Sequence, residues 1–151
     1  MLEVRFSQQL TMDPRGRVTL PSRLRSALET HRISSLVFIV HGRRLRAYVP
    51  KDFAERVEAP LLADDAFDPY QDEKQLLRLG SASEVDVDKQ GRLVIPPELR
   101  ELVSLGEDIT MVSMLDRIEV WNSADFKQAF SQAQRRTDAL GGYGSTGGGS
   151  G

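Results

Sequence analysis

Two copies of the pattern Asp-x-x-Gly-Arg hold the side chains of this sequence that are best suited to bind a ligand. Asp13 stands four positions before Arg17, and Asp88 stands four positions before Arg92. Each carboxylate can accept backbone N–H bonds inside a turn and orient the arginine that follows it. An arginine held on a projecting turn can donate to phosphate oxygens or base edges, so the pattern predicts binding of nucleic acid.

The two turns carry unequal charge. The first has Pro14 and Arg15 where the second has Lys89 and Gln90, so the second turn is less basic. A plain surface ion pair is the alternative role for the arginines of the turns. We assign DNA contacts to seven basic side chains: Arg15, Arg17, Arg23, Arg25, Lys89, Arg92 and Arg100. We assign the shaping of the turns to Asp13, Gly16, Asp88 and Gly91.

The net charge of −2 conceals a separation of charge along the chain. Residues 15–46 contain eight arginines and one acid, Glu29, whereas residues 51–74 are mainly acidic. An arginine-rich segment suits a polyanion, because the planar guanidinium matches phosphate groups and guanine edges. A solvated basic face is the alternative interpretation.

The composition argues against an enzyme and against a membrane protein. The sequence has no cysteine, its two histidines (His31 and His41) have no metal-ligand companions, and it lacks a glycine-rich phosphate loop. We therefore expect no catalytic residues, no metal and no cofactor. Because no apolar run approaches the length of a membrane span, we expect a cytoplasmic protein.

The chain contains an internal repeat, which determines its architecture. Residues 13–25 recur as residues 88–100 at an offset of 75, and residues 45–53 parallel residues 118–126 at an offset of 73. Copies of about 70 residues are marginal as independent folding units. We therefore expect a duplicated module whose two halves share a core or associate with other chains.

The same order of elements is expected in both copies. Turn residues, β-branched runs and prolines predict strands over residues 4–12, 17–20, 36–40 and 45–49, with helices over 21–29 and from Pro50. In the second copy they predict strands over 83–87, 92–95, 109–114 and 117–121, and a helix over 96–105 that Gly106 stops. A final helix, capped by Asn122 or Ser123, is expected to reach about residue 140.

These elements suggest four segments. They are a first module (residues 1–58), an acidic linker (59–79), a second module with a C-terminal helix (80–140) and a flexible Gly/Ser tail (141–151). Trp121, with Tyr48 as its counterpart, is expected in the core or at a subunit interface. The expected core comprises Val18, Leu20, Leu24, Leu28, Val37, Ile39, Leu93, Ile95, Leu99, Val112, Ile118 and Trp121.

The repeated motif is similar to that of a known class of DNA-binding domains. Asp-x-x-Gly-Arg-φ-x-φ-Pro-x-x-φ-Arg, where φ is apolar, resembles the signature of the AbrB/SpoVT class of swapped-hairpin domains. Two such motifs followed by Arg-Ile-Glu-Val-Trp at residues 117–121 resemble the MraZ family of bacterial transcriptional regulators, over roughly residues 1–135. The chain departs from the family pattern at Leu24, usually aromatic, and at residues 112–115, often glycine-rich.

The resemblance implies a β-rich α+β fold, in which two tandem AbrB/SpoVT-like swapped-hairpin modules pack as a pseudo-dimer with short helices. It also implies a homo-oligomer, typically a ring, that binds double-stranded DNA at direct repeats in the promoter of the division and cell-wall gene cluster. Such a protein usually acts as a repressor and would be associated with the nucleoid. Asp13/Arg17 and Asp88/Arg92 are then the DNA-facing elements.

A physical argument agrees with direct repeats. A head-to-tail ring of chains with unlike halves presents the same basic face in the same sense around its rim, whereas a twofold dimer reads palindromes. Two other functions remain open at this point. One is an antitoxin-like module that binds DNA and a protein, and the other is a ring-forming scaffold whose arginines contact an acidic protein.

Overall fold

The computed structural model describes residues 2–63 and 67–141, which form a strand-rich α+β fold. The strands are β1 (Ser7–Thr11), β2 (Arg17–Thr19), β3 (Ser35–His41), β4 (Arg44–Tyr48), β5 (Ser83–Asp86), β6 (Arg92–Val94), β7 (Asp108–Ser113) and β8 (Ile118–Asn122). The helices are α1 (Ser22–Thr30), α2 (Pro50–Phe53), α3 (Ala59–Ala63), α4 (Gln71–Gly80), α5 (Pro97–Leu102) and α6 (Ser123–Ala139), and a π-helical turn, Ala54–Glu58, joins α2 to α3. Among the described helices, none has the length and apolar character needed to cross a bilayer.

A turn, a short strand and a helix follow one another in each half, for the local reasons that the sequence indicates. Gly16 and Gly91 have φ values of 86° and 77°, a left-handed conformation that favours glycine after a tight turn. Pro21 and Pro96 end β2 and β6 and stand at the N-caps of α1 and α5, where a missing N–H costs little. The predicted order of elements is thereby confirmed in both copies.

The strands of the two halves are exchanged. All six long strands form one antiparallel sheet in the order β1-β7-β8-β4-β3-β5, and β2 pairs with β6 in a separate two-stranded ribbon. The first strand of each half therefore lies beside the hairpin of the other half, because β1 pairs with β7 and β5 pairs with β3. This exchange makes the chain a pseudo-dimer of swapped hairpins.

The strand register places a pseudo-twofold axis through both sheets. In the ribbon, Val18 pairs directly with Leu93, its own equivalent at the offset of 75. In the six-stranded sheet, Arg46 pairs directly with Glu119, its own equivalent at the offset of 73. Equivalent residues can face each other only on the axis that relates the two halves. The axis thus passes through the middle of the β2–β6 ribbon and the middle of the β4–β8 pairing.

One hydrophobic cluster is shared by both halves. It includes Leu24 and Phe38 from the first half and Leu99 and Val120 from the second, each no more than 2% exposed. A second, smaller cluster lies on the other face of the sheet, beneath α2, the π-helical turn and α3; it contains Val37, Ile39, Tyr48, Phe53, Val57 and Leu61. Because both halves contribute to the main cluster, neither half encloses this main core by itself.

Two predicted elements differ from the structure by three residues at one end, whereas the other predicted bounds agree to within one residue. The first strand begins at Ser7 rather than at Val4, and the Val4 carbonyl accepts the Ser113 hydroxyl at 2.6 Å. Helix α5 ends at Leu102 rather than at residue 105, and Gly106 is not its stop. Ser104, with φ of 52°, takes the left-handed conformation that terminates the helix.

The expected core is confirmed except at Val112 and Trp121, which are only half-buried. Their strand neighbours Met111 and Val120 belong to the main cluster, so Val112 and Trp121 point to the opposite face of the sheet. There Trp121 packs edge-on against Phe126, with ring centroids 5.9 Å apart. Residues 59–79, expected as a linker, contain α3 and most of α4. In the expected Gly/Ser tail, residues 142–151 lie outside the described residues.

Candidate nucleic-acid interface

The first turn is organised by the carboxylate of Asp13. Its Oδ1 accepts the backbone N–H groups of Arg15 (2.9 Å) and Arg17 (2.8 Å), and its Oδ2 accepts Nε of Arg17 (2.8 Å). The backbone N–H of Gly16 closes the turn by donating to the carbonyl of Asp13 at 2.9 Å. One side chain therefore fixes both the turn and the direction of the arginine.

The second turn repeats this geometry with small differences. Oδ1 of Asp88 accepts the backbone N–H groups of Gln90 (2.8 Å) and Arg92 (2.9 Å), and Gly91 donates to the Asp88 carbonyl at 3.0 Å. Nε of Arg92 donates to Oδ2 of Asp88 at 3.3 Å, which is longer than the corresponding bond in the first turn. Arg92 is therefore held less tightly than its counterpart.

Both aspartates are anionic at neutral pH, and both arginines keep free donors. The side-chain hydrogen bond from Arg17, followed by its backbone N–H, holds the pKa of Asp13 below its ordinary value. The backbone N–H of Arg92 is the main cause of the same lowering of the pKa of Asp88. Over residues 2–63 and 67–141, no group accepts a hydrogen bond from the two terminal guanidinium nitrogens of Arg17 or of Arg92. These nitrogens are available for an external acceptor.

The β2–β6 ribbon places the two arginines on one surface. Val18 and Leu93 point into the core, so strand alternation turns Arg17, Thr19, Arg92 and Val94 to the other face, which we call the outer face of the ribbon. In the register, Arg17 stands opposite Val94 and Thr19 stands opposite Arg92. Opposite positions in an antiparallel pair have Cβ atoms about 5 Å apart, so the four side chains form one compact patch.

Each turn is supported by an arginine from the other half. Nη2 of Arg25, on α1, donates to the carbonyl of Lys89 at 2.9 Å. Nη1 of Arg100, on α5, donates to the carbonyl of Pro14 at 3.3 Å, and its Nε donates to the carbonyl of Ile95 at 2.9 Å. The structure thus brings Arg25 and Arg100 against the opposite turns, where both are half-buried.

The two turn glycines lie directly beneath these arginines. A Cβ on Gly16 would stand 2.7 Å from the Ile95 carbonyl oxygen and 2.8 Å from Nε of Arg100. A Cβ on Gly91 would stand 2.6 Å from Cδ of Arg25. Gly16 and Gly91 are therefore required both for the left-handed backbone and for the close approach of the opposite half.

The remaining predicted site residues occupy different places. Arg15 and Lys89 are exposed on the two turns. Arg23 is exposed on α1 and donates to the carbonyl of Arg5 at 3.3 Å. Sequence reasoning did not single out Thr19 and Val94, although the alternation around buried Val18 and Leu93 contains the signal that places them beside the arginines.

A second charged cluster lies at the centre of the six-stranded sheet, and the sequence analysis did not predict it. Glu119, whose side chain is 4% exposed, accepts Nε of Arg117 (3.0 Å) and of Arg46 (3.3 Å) and the indole N–H of Trp121 (3.1 Å). Nε of Arg44 lies 3.0 Å from Glu119 but is not aligned as a hydrogen-bond donor, and its guanidinium lies over the Trp121 ring at 4.8 Å. Within the described residues, no group of three His, Cys, Asp or Glu side chains could hold a metal.

The fold and the paired turns define a tandem swapped-hairpin protein of the AbrB/SpoVT-like class. A relative from Syntrophobacter fumaroxidans, "Transcriptional regulator MraZ", is 32% identical over 113 residues, which cover 75% of this chain and 75% of the relative. The chain therefore belongs to the MraZ family of transcriptional regulators. The family model described as "MraZ protein, putative antitoxin-like" matches residues 79–139.

Other relatives with the same name give the same result. One from Haemophilus influenzae is 32% identical over 124 residues, covering 81% of this chain and 82% of the relative. One from Shewanella denitrificans is 29% identical over 132 residues, covering 86% of both. The solution structure of PHS018 from Pyrococcus horikoshii covers 78% of this chain and 87% of its own, at 13% identity and with a TM-score of 0.30.

Proposed function

We propose that this chain is a sequence-specific DNA-binding regulator that contacts double-stranded DNA with the outer face of the β2–β6 ribbon and its two turns. The observation that carries the proposal is the pair of arginines, Arg17 and Arg92, each oriented by an aspartate with its terminal nitrogens free. A two-stranded ribbon fits the major groove, and oriented guanidinium groups there can donate to O6 and N7 of guanine.

Arg15 and Lys89 extend the basic surface along the turns, where they would contact phosphates and fix the position of the protein on the duplex. Arg25 and Arg100 act mainly as positioning residues, because their guanidinium groups are already bonded to the carbonyls of the turns. The role of Arg23 is a phosphate contact at the edge of this surface. The domain boundaries at residues 58, 79 and 140 follow the two modules that carry the turns.

We infer the regulatory role, the DNA target and the assembly from the MraZ family. The protein is a repressor in the cytoplasm and nucleoid, and it binds direct repeats in the promoter of the division and cell-wall gene cluster. It assembles as a homo-oligomeric ring. In a single chain, large apolar side chains such as Tyr70 and Leu76 are exposed (67% and 71%), and subunit contacts in the ring would cover them.

The test is fluorescence anisotropy on the DNA upstream of the chain's own gene, across a salt series, with Arg17→Ala and Arg92→Ala. The matched control is Arg135→Ala, which removes the same charge from an exposed position on α6. We expect preference over scrambled DNA, about tenfold weaker binding for Arg17→Ala, a smaller loss for Arg92→Ala and no loss for the control.

Two results would contradict the proposal. Equal binding to scrambled DNA by an intact protein would favour the ring-forming scaffold, with an acidic protein as partner of the arginines. Equal affinity for an inverted-repeat probe and a direct-repeat probe of the same spacing would exclude the head-to-tail arrangement.

A further inference from the structure

The outer face of the ribbon is not symmetric. Thr19 and Val94 are equivalent positions at the offset of 75, and they flank the axis that passes between Val18 and Leu93. One half therefore offers a hydroxyl and the other offers only methyl groups. Val94 is 46% exposed, although it belongs to a strand whose neighbouring residues Leu93 and Ile95 are fully buried.

The position of Val94 beside the two arginines distinguishes it from an ordinary exposed valine. A single exposed valine needs no explanation on an ordinary surface. Val94, however, stands directly opposite Arg17 in the register, and the same patch contains Arg92. The patch thus combines an apolar side chain, Val94, with two oriented guanidinium groups. Such a patch is complementary to a ligand surface that is mostly polar but carries isolated methyl groups.

The major groove of DNA is such a surface. Each base pair presents hydrogen-bond donors and acceptors there, and the 5-methyl group of thymine is the one apolar substituent. We propose that Val94 packs against the 5-methyl group of a thymine next to the base pair contacted by Arg17. This inference rests on the proposed DNA-binding function and names a specificity-determining residue within it. Thr19 presents one methyl group beside a hydroxyl that can hydrogen-bond to several bases, so its preference for thymine should be weaker than that of Val94.

The consequence is a binding site with unlike halves. The arginines are common to both halves and can read the same base on either side of the axis, whereas the stronger preference for thymine falls on the Val94 side. One thymine in each repeat is therefore read through its methyl group.

The experiment replaces each thymine of the binding site in turn by deoxyuridine, which removes the methyl group and keeps the base pair. Anisotropy titrations compare the chain with Val94→Ala, with Val94→Thr, which keeps the β-branched shape, and with Thr19→Val. For the unaltered chain we expect one deoxyuridine position to weaken binding about fourfold, the effect of losing one buried methyl contact. Val94→Ala should lose that sensitivity, Val94→Thr, which keeps one methyl group, should reduce it, and Thr19→Val should raise the sensitivity at the matching position across the axis.

The outcomes separate this inference from the function on which it rests. Loss of all preference over scrambled DNA in the unaltered chain would overturn both. Specific binding with no deoxyuridine-sensitive position, or with a sensitivity that survives Val94→Ala, would overturn the thymine contact and leave DNA binding intact. The salt dependence is a second readout: Val94→Ala should keep the slope of affinity against salt, whereas Arg17→Ala should reduce it.

Discussion

Arg46 and Glu119 occupy equivalent positions in the two halves of the chain and face each other on the pseudo-twofold axis, with Nε and Oε2 3.3 Å apart. Identical modules would place identical side chains at these positions, and like charges directly opposite in a sheet are destabilising. Duplication within one chain allows opposite charges instead. The pair therefore favours association of a first half with a second half over association of two like halves.

Neutralising Glu119 should destabilise the fold. Glu119→Gln leaves Arg44, Arg46 and Arg117 without a shared counter-charge in a site where the carboxylate is 4% exposed and the arginines are 18–23% exposed. We expect a loss of about 3 kcal/mol in the free energy of unfolding, the lower end for a broken buried pair, because the arginines retain some solvent contact. Urea denaturation measures this loss, and Arg135→Ala provides the control.

The same carboxylate should make the protein sensitive to acid. Burial alone would raise the pKa of Glu119, but the hydrogen bond from Arg117 and the charges of Arg44 and Arg117 hold it below its ordinary value of 4.5. A lowered pKa gives stability that is complete above the unfolded value and is lost as the pH falls through the folded value. Below about pH 4.5 the unaltered chain should lose stability faster than Glu119→Gln; parallel pH profiles would contradict this.

Reversing the pair on the axis tests whether charge directs the pairing of the halves. Arg46→Glu places two carboxylates opposite each other and should destabilise the chain by more than removal of the arginine charge in Arg46→Met. The double reversal Arg46→Glu/Glu119→Arg should recover about 1 kcal/mol, and not the whole loss, because Arg44 and Arg117 then surround a cation. A double-mutant cycle by denaturation gives the coupling energy, and a coupling of zero would refute the role of the pair.

Alanine should be tolerated very differently at three glycines. At Gly16 it meets both a φ of 86° and a backbone carbonyl that cannot move aside, so we expect a cost of about 2 kcal/mol or more. At Gly91 the contact is with the side chain of Arg25, which can shift, so the cost should be smaller. Gly106→Ala, with nothing within 4 Å of the new Cβ, is the control and should leave the melting temperature unchanged.

The crossed hydrogen bonds predict effects on the opposite module. Arg100→Met removes the donor to the Pro14 carbonyl and should speed amide exchange at Gly16, whereas Arg25→Met should speed it at Gly91. About a fivefold increase corresponds to the loss of one hydrogen bond. Exchange measured by NMR distinguishes the two turns, and faster exchange only within the mutated arginine's own module would contradict the crossed arrangement.

His41 should titrate far below an ordinary histidine. Burial, followed by the positive charges of Arg46, Arg44 and Arg78, lowers its pKa from 6.5 to about 4. The fold therefore favours the neutral ring, and His41 should reduce stability as the pH falls from 6.5 towards 4. An NMR titration, with the signal assigned by His41→Gln, should give a pKa near 4. Because Glu119 opposes this lowering, Glu119→Gln should decrease the pKa of His41 further.

Local patterns in the sequence were sufficient to predict the repeat, the order of the strands and helices, and the two turns. Asp and Gly at fixed offsets specify the turn before each short strand, and Pro21 and Asn122 mark helix starts that the structure confirms. Asn122 caps α6 by accepting the N–H of Ala124 at 2.9 Å. Such signals can be read because they act between residues a few positions apart.

Tertiary structure alone decided which half each strand joins and therefore what surrounds the charged residues. Strand alternation assigns a side chain to one of two faces, but it does not say which partner strand covers that face. The half-burial of Trp121, the burial of Glu119 and the support of each turn by Arg25 or Arg100 all follow from pairings between residues many positions apart. Swapped and unswapped hairpins use the same local sequence, and only the assembled sheet selects between them.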